Sequence, residues 1–265
     1  MNNAPNKSFN LPYTWIAKPI NISLIGAGGT GSGLLTELYQ MSYLLNQISN
    51  GEVYLNVVVY DNDEISSANI GRQAFWKHDQ GQNKAETLVN RLNNFGGVNW
   101  TAKPEKFTPD MLADDTHILI TCVDSAKVRA EIGKFYKQKQ YDPNNPILWL
   151  DTGNDASTSQ IILGGLCSKN SPLPNVFDLY PSLTTIQDDP IDSCSHTQAL
   201  SSQDYGINKK TALEASGLIW QLLRHGSLQR HGAMIDIREG TTIPIPIDPQ
   251  YWSMLGYTQD VEIKS

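Results

Sequence analysis

A glycine-rich turn at residues 26–31 (GAGGTG) constrains this chain more than any other feature. It follows a short apolar run at residues 21–25, which predicts a buried strand, and it precedes residues 33–47, where apolar side chains recur at helical spacing. Glycines allow a tight turn and let a phosphate approach the free N–H groups at the start of the helix. The residues expected to contact a nucleotide here are Gly26, Gly28, Gly29, Thr30 and Gly31.

Strand and helix patterns alternate along the rest of the chain. The predicted strands are residues 53–60, 116–123, 146–150 and 160–166, and the predicted helices are residues 83–94, 128–138 and 207–225. This alternation predicts an α/β fold with a Rossmann-like, doubly wound, mostly parallel sheet. Residues 169–203, rich in Pro, Ser and Asp, predict an irregular crossover loop. A helix and an extended, proline-broken segment (TTIPIPID) predict a C-terminal helix/strand extension.

The length of 265 residues suits one large domain. Residues 1–19 are polar and contain three prolines, which predicts an irregular N-terminal arm. Residues 20–265 then form a single domain. Its nucleotide-binding half covers about residues 20–150, and the crossover loop and C-terminal half cover about residues 151–265.

Composition excludes several classes of function. The net charge of -7 argues against a general nucleic-acid binder, which needs clustered Lys and Arg. Eighteen consecutive apolar residues do not occur, and residues 1–15 lack the charged start and apolar run of a secretory signal, so neither a membrane span nor secretion is expected. Three scattered cysteines fit a reducing cytoplasm, and without a CxxC pair no zinc site is expected.

A polar block after the second predicted strand narrows the nucleotide. Asp61 ends that strand and could hold ribose hydroxyls of either NAD or ATP. Arg72 and Lys84 suit an enzyme that cleaves ATP between its α and β phosphates, because negative charge builds on the leaving pyrophosphate. Asn69 could add neutral hydrogen bonds to the phosphates. A nicotinamide enzyme has no comparable need for this cation pair.

The same block carries a family resemblance. Residues 61–73 read DNDEISSANIGRQ and lie between the glycine turn and a GQNKA segment that contains Lys84. This arrangement resembles the ThiF/MoeB superfamily, which includes the ubiquitin-activating enzymes, over residues 22–91 and more weakly to Asp124. The GAGGTGSG wording and the later Cys194-Ser195, Gln203-Asp204 and Ile207-Asn208 pairs are similar to PRTRC-system ThiF-type proteins of bacteria.

The resemblance implies roles for individual residues. Asp61 would bind the ribose of ATP, Gln73 would shape the phosphate pocket, and Asn69, Arg72 and Lys84 would contact the phosphates. Asp63 is either a nucleotide contact or a turn residue. Asp124 matches the family's Mg²⁺ ligand, although Val123-Asp124-Ser125 departs from the family's usual Thr-Asp-Asn. A helix N-cap is the alternative for Asp124.

Some relatives pass the activated carboxylate to a cysteine. Cys122 lies in an apolar strand and Cys167 ends an apolar segment, so both are expected to be structural. Cys194 lies in the polar crossover loop near His196, where the family often places its catalytic cysteine, so it is either the nucleophile of a thioester step or an ordinary loop residue. The neighbouring aspartates would raise a thiol pKa here. The family's usual zinc cysteines are missing.

These observations predict a cytoplasmic enzyme that uses ATP and Mg²⁺ to adenylate the C-terminal carboxylate of a ubiquitin-like protein. A conjugating-enzyme-like protein is an expected second partner, and a homodimer is expected from the family. Two alternatives remain: an NAD-dependent Rossmann oxidoreductase, which would leave Arg72 and Lys84 without a purpose, and a catalytically silent scaffold subunit.

Overall fold

An eight-stranded sheet forms the centre of the fold. The computed structural model describes residues 8–184 and 203–258. Its strands are β1 (Phe9–Asn10), β2 (Ile20–Ile25), β3 (Leu55–Tyr60), β4 (Thr101–Lys103), β5 (Ile118–Thr121), β6 (Leu148–Asn154), β7 (Thr158–Gly165), β8 (Ser227–Leu228), β9 (Arg230–Asp236) and β10 (Thr241–Pro246). Its helices are α1 (Gly29–Ile48), α2 (Lys84–Gly96), α3 (Ala126–Tyr136), α4 (Val176–Leu179), α5 (Ile207–His225) and α6 (Pro249–Met254).

The strands of the central sheet run in the order β10-β9-β7-β6-β5-β2-β3-β4. The five strands from β6 to β4 pair in parallel, and β7, β9 and β10 continue the sheet in antiparallel fashion. Strand β5 (ILIT) is buried along its whole length, as a strand covered by helices on both faces must be. The prediction of a mostly parallel, Rossmann-like sheet is confirmed.

The strand order creates a reversal point between β2 and β5. From β2 the chain builds outward through β3 to β4, and it then returns to build β5 and β6 on the other side. Right-handed crossovers therefore place α1 and α2 on one face of the sheet and α3 on the other. The long helix α5 packs against α1. Such a reversal opens a crevice at the carboxyl ends of the strands, where ligands of this architecture bind.

The C-terminal half contains more sheet than the sequence predicted. Strand β9 was missed, whereas residues 241–246, predicted as part of the helix/strand extension, form strand β10, which pairs antiparallel with β9. The sequence of β9 (RHGAMID) lacks a strand-like run because Gly232 packs directly against the Ile161 carbonyl of β7, where a side chain would collide. Pro244 and Pro246 are tolerated because β10 is an edge strand.

Two segments interpreted as irregular are partly ordered against the core. Within the N-terminal arm, β1 pairs with β8, and Trp15 is buried, with its ring edge-on to His117 at 5.1 Å between centroids. In the crossover segment, residues 169–184 include α4, whose Val176 and Leu179 are buried. The sequence did not reveal these contacts, because prolines and polar residues surround the few anchoring apolar side chains.

A neutral histidine fastens the C-terminal helix α6 to the sheet. Trp252 Nε1 donates to His231 Nε2 at 2.8 Å, so the other ring nitrogen, Nδ1, carries the proton and faces the Leu163 carbonyl at 2.9 Å. Complete burial lowers the pKa of His231 to about 4, although the Leu163 carbonyl opposes this shift. The imidazole is therefore neutral in the folded protein at neutral pH.

We expect this cluster to make stability depend on pH. Between pH 6.5 and 4 the unfolded chain binds a proton at His231 that the folded chain does not bind, so the free energy of unfolding falls as pH falls. The His231 share of the fall from pH 7 to pH 5 is about 2 kcal/mol. Urea unfolding of the wild type and His231→Gln at both pH values measures it. The exposed His225→Gln is the control and should keep the wild-type pH dependence; an equally steep dependence in His231→Gln would contradict the assignment.

Candidate active site

A cavity of 410 Å³ lies at the carboxyl ends of β2, β3 and β5, at the reversal point of the sheet. Most of the residues predicted for the nucleotide site line it: Gly26, Gly28, Gly29, Thr30, Asp61, Asp63, Arg72, Gln73, Lys84 and Asp124. They come from the ends of β2, β3 and β5, from the starts of α1 and α2, and, for Arg72 and Gln73, from the loop between β3 and α2. Neither Gly31 nor Asn69 is among the lining residues.

The glycine turn is held close to its neighbours on both sides. Gly26 has a positive φ of 92°, and a Cβ there would lie 2.6 Å from the Cys122 carbonyl oxygen beyond β5. Gly31, in the first turn of α1, packs on the Gly26 carbonyl, so any side chain would collide with it. Gly31 thus lets α1 approach β2, and its predicted contact with the nucleotide stays a prediction.

Asp61 is fixed by the turn that it faces. Its Oδ2 accepts a hydrogen bond from the Ala27 N–H at 2.6 Å, and its Oδ1 accepts one from the Asp63 N–H at 2.9 Å. Burial raises the pKa of the Asp61 carboxyl, while these two backbone donors oppose the rise. The carboxylate therefore links the end of β3 to the glycine turn and presents its remaining lone pairs beside the cavity, as ribose recognition requires.

Lys84 enters the cavity from the first turn of α2. Asn83 caps this helix by accepting a hydrogen bond from the Glu86 N–H at 3.0 Å. The Lys84 ammonium is almost buried and pairs with Asp63 Oδ2 at 2.8 Å, whereas the Asp63 side chain is 60% exposed. Asp63 therefore holds a buried cation at the cavity wall. Asp63 also lines the cavity, and its predicted role in binding the nucleotide stays a prediction.

Gln73 and Asn69 differ in whether they line the cavity and in whether their amide oxygens are hydrogen-bonded. Gln73 lines the cavity, and its buried Oε1 has no hydrogen-bond partner among the described residues. Asn69 is buried in a short turn, where its Oδ1 accepts hydrogen bonds from the Ser66 N–H at 2.8 Å and the Ser66 hydroxyl at 3.2 Å. Its carbonyl oxygen also accepts a hydrogen bond from the Gln73 N–H at 2.9 Å. The structure thus gives Asn69 a role in shaping the segment that carries Gln73, and its phosphate contact stays a prediction.

Sequence reasoning missed an amide network that joins α5 to the glycine turn. Asn208 Oδ1 accepts hydrogen bonds from Thr30 Oγ1 at 3.1 Å and from Asn154 Nδ2 at 2.8 Å. Asn208 Nδ2 donates to Gln203 Oε1 at 3.0 Å. All four residues line the cavity. One available signal was the polar Asn208 in the first turn of an otherwise apolar helix face.

Asp124 lies where the nucleotide cavity meets a second cavity of 550 Å³. Val123, Asp124 and Asn154 line both, and the second cavity extends across β6, β7, β9 and β10. The described residues contain no group of three His, Cys, Asp or Glu side chains that could cage a metal. One exposed carboxylate beside a phosphate site nevertheless fits Mg²⁺, which retains waters and takes phosphate oxygens as ligands. The assignment of Asp124 to Mg²⁺ stays a prediction.

The two cysteines among the described residues are poor nucleophiles. Cys122 lines the nucleotide cavity, and burial raises the pKa of its thiol to about 12. Burial also raises the pKa of the Cys167 thiol. Both thiols remain protonated at neutral pH. Cys194, the predicted nucleophile, and His196 lie outside the described residues.

The fold and this site define a Rossmann-like nucleotide-binding α/β protein. The chain belongs to the ThiF family, whose family model matches residues 17–161, more than half of its length. The resemblance found in the sequence is thereby confirmed at the level of the family. No curated protein sequence matches the chain.

Solved structures share the fold at low sequence identity. The match to E. coli MccB with MccA has 15% sequence identity and a TM-score of 0.56, and it covers 92% of this chain and 66% of the MccB chain. PaaA is 13% identical with a TM-score of 0.56 and covers 86% and 64%. E. coli MccB with ATP is 15% identical with a TM-score of 0.53 and covers 87% and 64%. The chain thus spans about two thirds of the length of these structures. Among the described residues, no helix is both long and apolar enough to cross a bilayer.

We expect Gly29→Ala to damage the nucleotide site. The new Cβ would lie 2.6 Å from Asn208 Oδ1 and displace the side chain that holds Thr30 and Asn154. Nucleotide affinity, measured by calorimetric titration with ATP, should fall at least about tenfold, which corresponds to about 1.4 kcal/mol.

Gly33→Ala is the matched control for this prediction. Its Cβ meets only Ala212 Cβ at 3.4 Å, an ordinary contact, so affinity should be unchanged, and thermal stability should rise because Ala is the better helix former. The double variant Gly29→Ala/Asn208→Ala lacks the colliding Asn208 side chain, so its thermal stability should be higher than that of Gly29→Ala alone. Unchanged ATP affinity in Gly29→Ala would refute the proposed role of the network.

Proposed function

We propose that this protein uses ATP to adenylate the C-terminal carboxylate of a ubiquitin-like protein and releases pyrophosphate. The observation that carries the proposal is the convergence of the glycine turn, Asp61, Arg72, Lys84 and Asp124 in one cavity. A phosphate-binding turn with two cations and a carboxylate provides what α-phosphate cleavage demands. Membership of the ThiF family supports it.

In the proposed reaction, a carboxylate oxygen of the acyl substrate attacks the α phosphorus of ATP. The bond from the α phosphorus to the bridging oxygen breaks, and pyrophosphate leaves with the electron pair. No general base is needed, because the attacking carboxylate is already ionised. The protein contributes positioning and charge stabilisation: the glycine turn and Asp61 orient the nucleotide, and Arg72 and Lys84 stabilise the charge that develops on the leaving group.

The Lys84–Asp63 pair suits this chemistry. The pair keeps the ammonium at the wall before ATP arrives, and Asp63 is exposed enough to be replaced by a phosphate oxygen. Asp124 would hold Mg²⁺, which neutralises phosphate charge when bound. Lys84, held by Asp63, and Mg²⁺, which Asp124 would hold, thus supply positive charge for a polyanion in a protein whose net charge is -7.

The second cavity is the proposed entrance for the acyl substrate. It meets the nucleotide cavity at Asp124 and Asn154, so a carboxylate arriving through it would reach the α phosphate. Structures of E. coli MccB with ATP and with MccA support the pairing of a nucleotide with a second substrate in this fold. A ubiquitin-like protein as that substrate, a conjugating-enzyme-like partner, homodimer formation, a cytoplasmic location and closeness to PRTRC-system proteins belong to the proposal.

The two alternative functions are less well supported. An NAD-dependent oxidoreductase would use the glycine turn and Asp61 but would leave Lys84 and Arg72 at the cavity wall without a role. Family membership also argues against it. A silent scaffold subunit would have no need to keep the cations and Asp124 around one cavity.

We expect Arg72→Ala and Lys84→Met each to reduce ATP–pyrophosphate exchange by about 100-fold or more, because each removes charge stabilisation of the leaving group. The assay uses ATP, labelled pyrophosphate, Mg²⁺ and candidate ubiquitin-like acceptor proteins. Lys134→Met, on the exposed face of α3, is the control and should retain full exchange. Wild-type protein that binds NAD and catalyses no exchange with any acceptor would refute adenylation.

Cys194→Ser separates adenylation from a thioester step. Adenylation does not use the thiol, so exchange should remain at the wild-type rate. If Cys194 is the nucleophile, a covalent adduct with the acceptor that is sensitive to reducing agent should disappear on a non-reducing gel. Cys167→Ser is the control and should retain the adduct, because burial keeps that thiol protonated. An adduct that survives Cys194→Ser would exclude this residue as its site.

A further inference from the structure

We infer that Arg129 is a positioning residue that fixes the Asp124 loop for Mg²⁺-dependent nucleotide binding. The inference rests on the proposed function and assigns a role to a side chain outside the nucleotide cavity. Arg129 lies in α3, and its side chain is only 9% exposed. It lines the second cavity, next to the point where the two cavities meet.

The Arg129 guanidinium bridges the ends of two strands. Its Nη2 donates to the Val123 carbonyl at 2.6 Å and to the Thr152 carbonyl at 2.8 Å, and its Nε donates to Asp151 Oδ1 at 2.8 Å. Val123 follows β5, whereas Asp151 and Thr152 belong to β6. The planar fork of an arginine suits three such acceptors at once, whereas a lysine ammonium lacks that geometry.

The β6 side of this bridge is a rigid anchor. Thr121 Oγ1 donates to Asp151 Oδ1, and Trp149 Nε1 donates to Thr121 Oγ1 at 2.9 Å. Thr152 Oγ1 donates in turn to the Thr121 carbonyl at 3.0 Å. These residues are buried, so the acceptors that Arg129 meets on β6 have little freedom to move.

The other side of the bridge controls Asp124. Because the peptide bond is planar, a fixed Val123 carbonyl also fixes the peptide plane that begins Asp124. Directly after Asp124, Ser125 caps α3 by accepting a hydrogen bond from the Val128 N–H at 3.4 Å. Asp124 is thus held between a clamped carbonyl and a helix cap, although its own side chain is exposed.

The ion pair with Asp151 stabilises the charged form of Arg129. Burial alone would favour the neutral guanidine, but the Asp151 carboxylate outweighs it and raises the pKa of Arg129. The guanidinium therefore stays ionised.

The test measures how much Mg²⁺ strengthens nucleotide binding. Calorimetric titrations with α,β-methylene ATP, which cannot be cleaved at the α phosphate, are run in EDTA and in Mg²⁺. The ratio of the two affinities is the Mg²⁺ enhancement. We expect the affinity of Arg129→Lys for the nucleotide in EDTA to be within about twofold of the wild-type affinity. We expect its Mg²⁺ enhancement to be about tenfold smaller than that of the wild type. Asp124→Asn should lose the enhancement entirely.

A second variant and a control guard against trivial explanations. Arg129→Gln/Asp151→Asn removes both charges together, so no lone buried ion destabilises the fold, and it should show the same loss of enhancement. Arg230→Lys alters an arginine that pairs with Glu214 away from both cavities, and it should match the wild type. Thermal unfolding checks that each variant is folded.

The outcomes distinguish a failure of the proposed function from a failure of the positioning role of Arg129. Wild-type protein that does not bind the nucleotide overturns the proposed function. Binding by the wild type with full enhancement in Asp124→Asn overturns the role of Asp124 in holding Mg²⁺ and the inference with it. Loss of enhancement in Asp124→Asn, with full enhancement in both Arg129 variants, overturns the positioning role of Arg129 alone.

Discussion

The close approach of α1 to β2 is the contact on which the rest of the site depends. Gly31 packs on the Gly26 carbonyl without space for a side chain, so the start of the helix lies directly above the end of the strand. This approach aims the first N–H groups of α1 into the cavity. It also places Ala27 where its N–H can bond Asp61 and Thr30 where its hydroxyl can bond Asn208. One steric condition thereby organises contacts to β3 and α5.

Around that contact, the site is assembled from paired groups. Lys84 is held by Asp63, Asp61 by two backbone donors, and Asn208 by Thr30 and Asn154. Each pairing fixes a side chain before any ligand arrives, so less conformational entropy is lost when the ligand binds. The cost of burying the polar groups is met by the same bonds that orient them. Binding and folding therefore depend on the same hydrogen bonds at this site.

The sequence was most informative where local pattern and topology coincide. Helix α5 begins and ends at the residues predicted for it, because its apolar periodicity is long and uninterrupted. Asp61 and Asp124 could be grouped because parallel strands deliver their carboxyl ends to one edge, whereas Lys84 was assigned through the family resemblance. The partnership of Asn154 with Asn208 was inaccessible, because it depends on how α5 docks 54 residues further along the chain. Strand β9 was also hidden, since Gly232 answers a packing need that has no local signature.

The edges of the central sheet have a consequence for association. Strand β4, at one edge, has only three residues, and β10, at the other, contains Pro244 and Pro246. Because these prolines lie at alternate positions, the outward side of β10 lacks two of the N–H donors that an added strand would need. The sheet is therefore a poor template for intermolecular β-pairing. Two neighbouring copies of the chain gain little by extending one another's sheets, which protects the two edges of the central sheet, β4 and β10, from edge-to-edge aggregation.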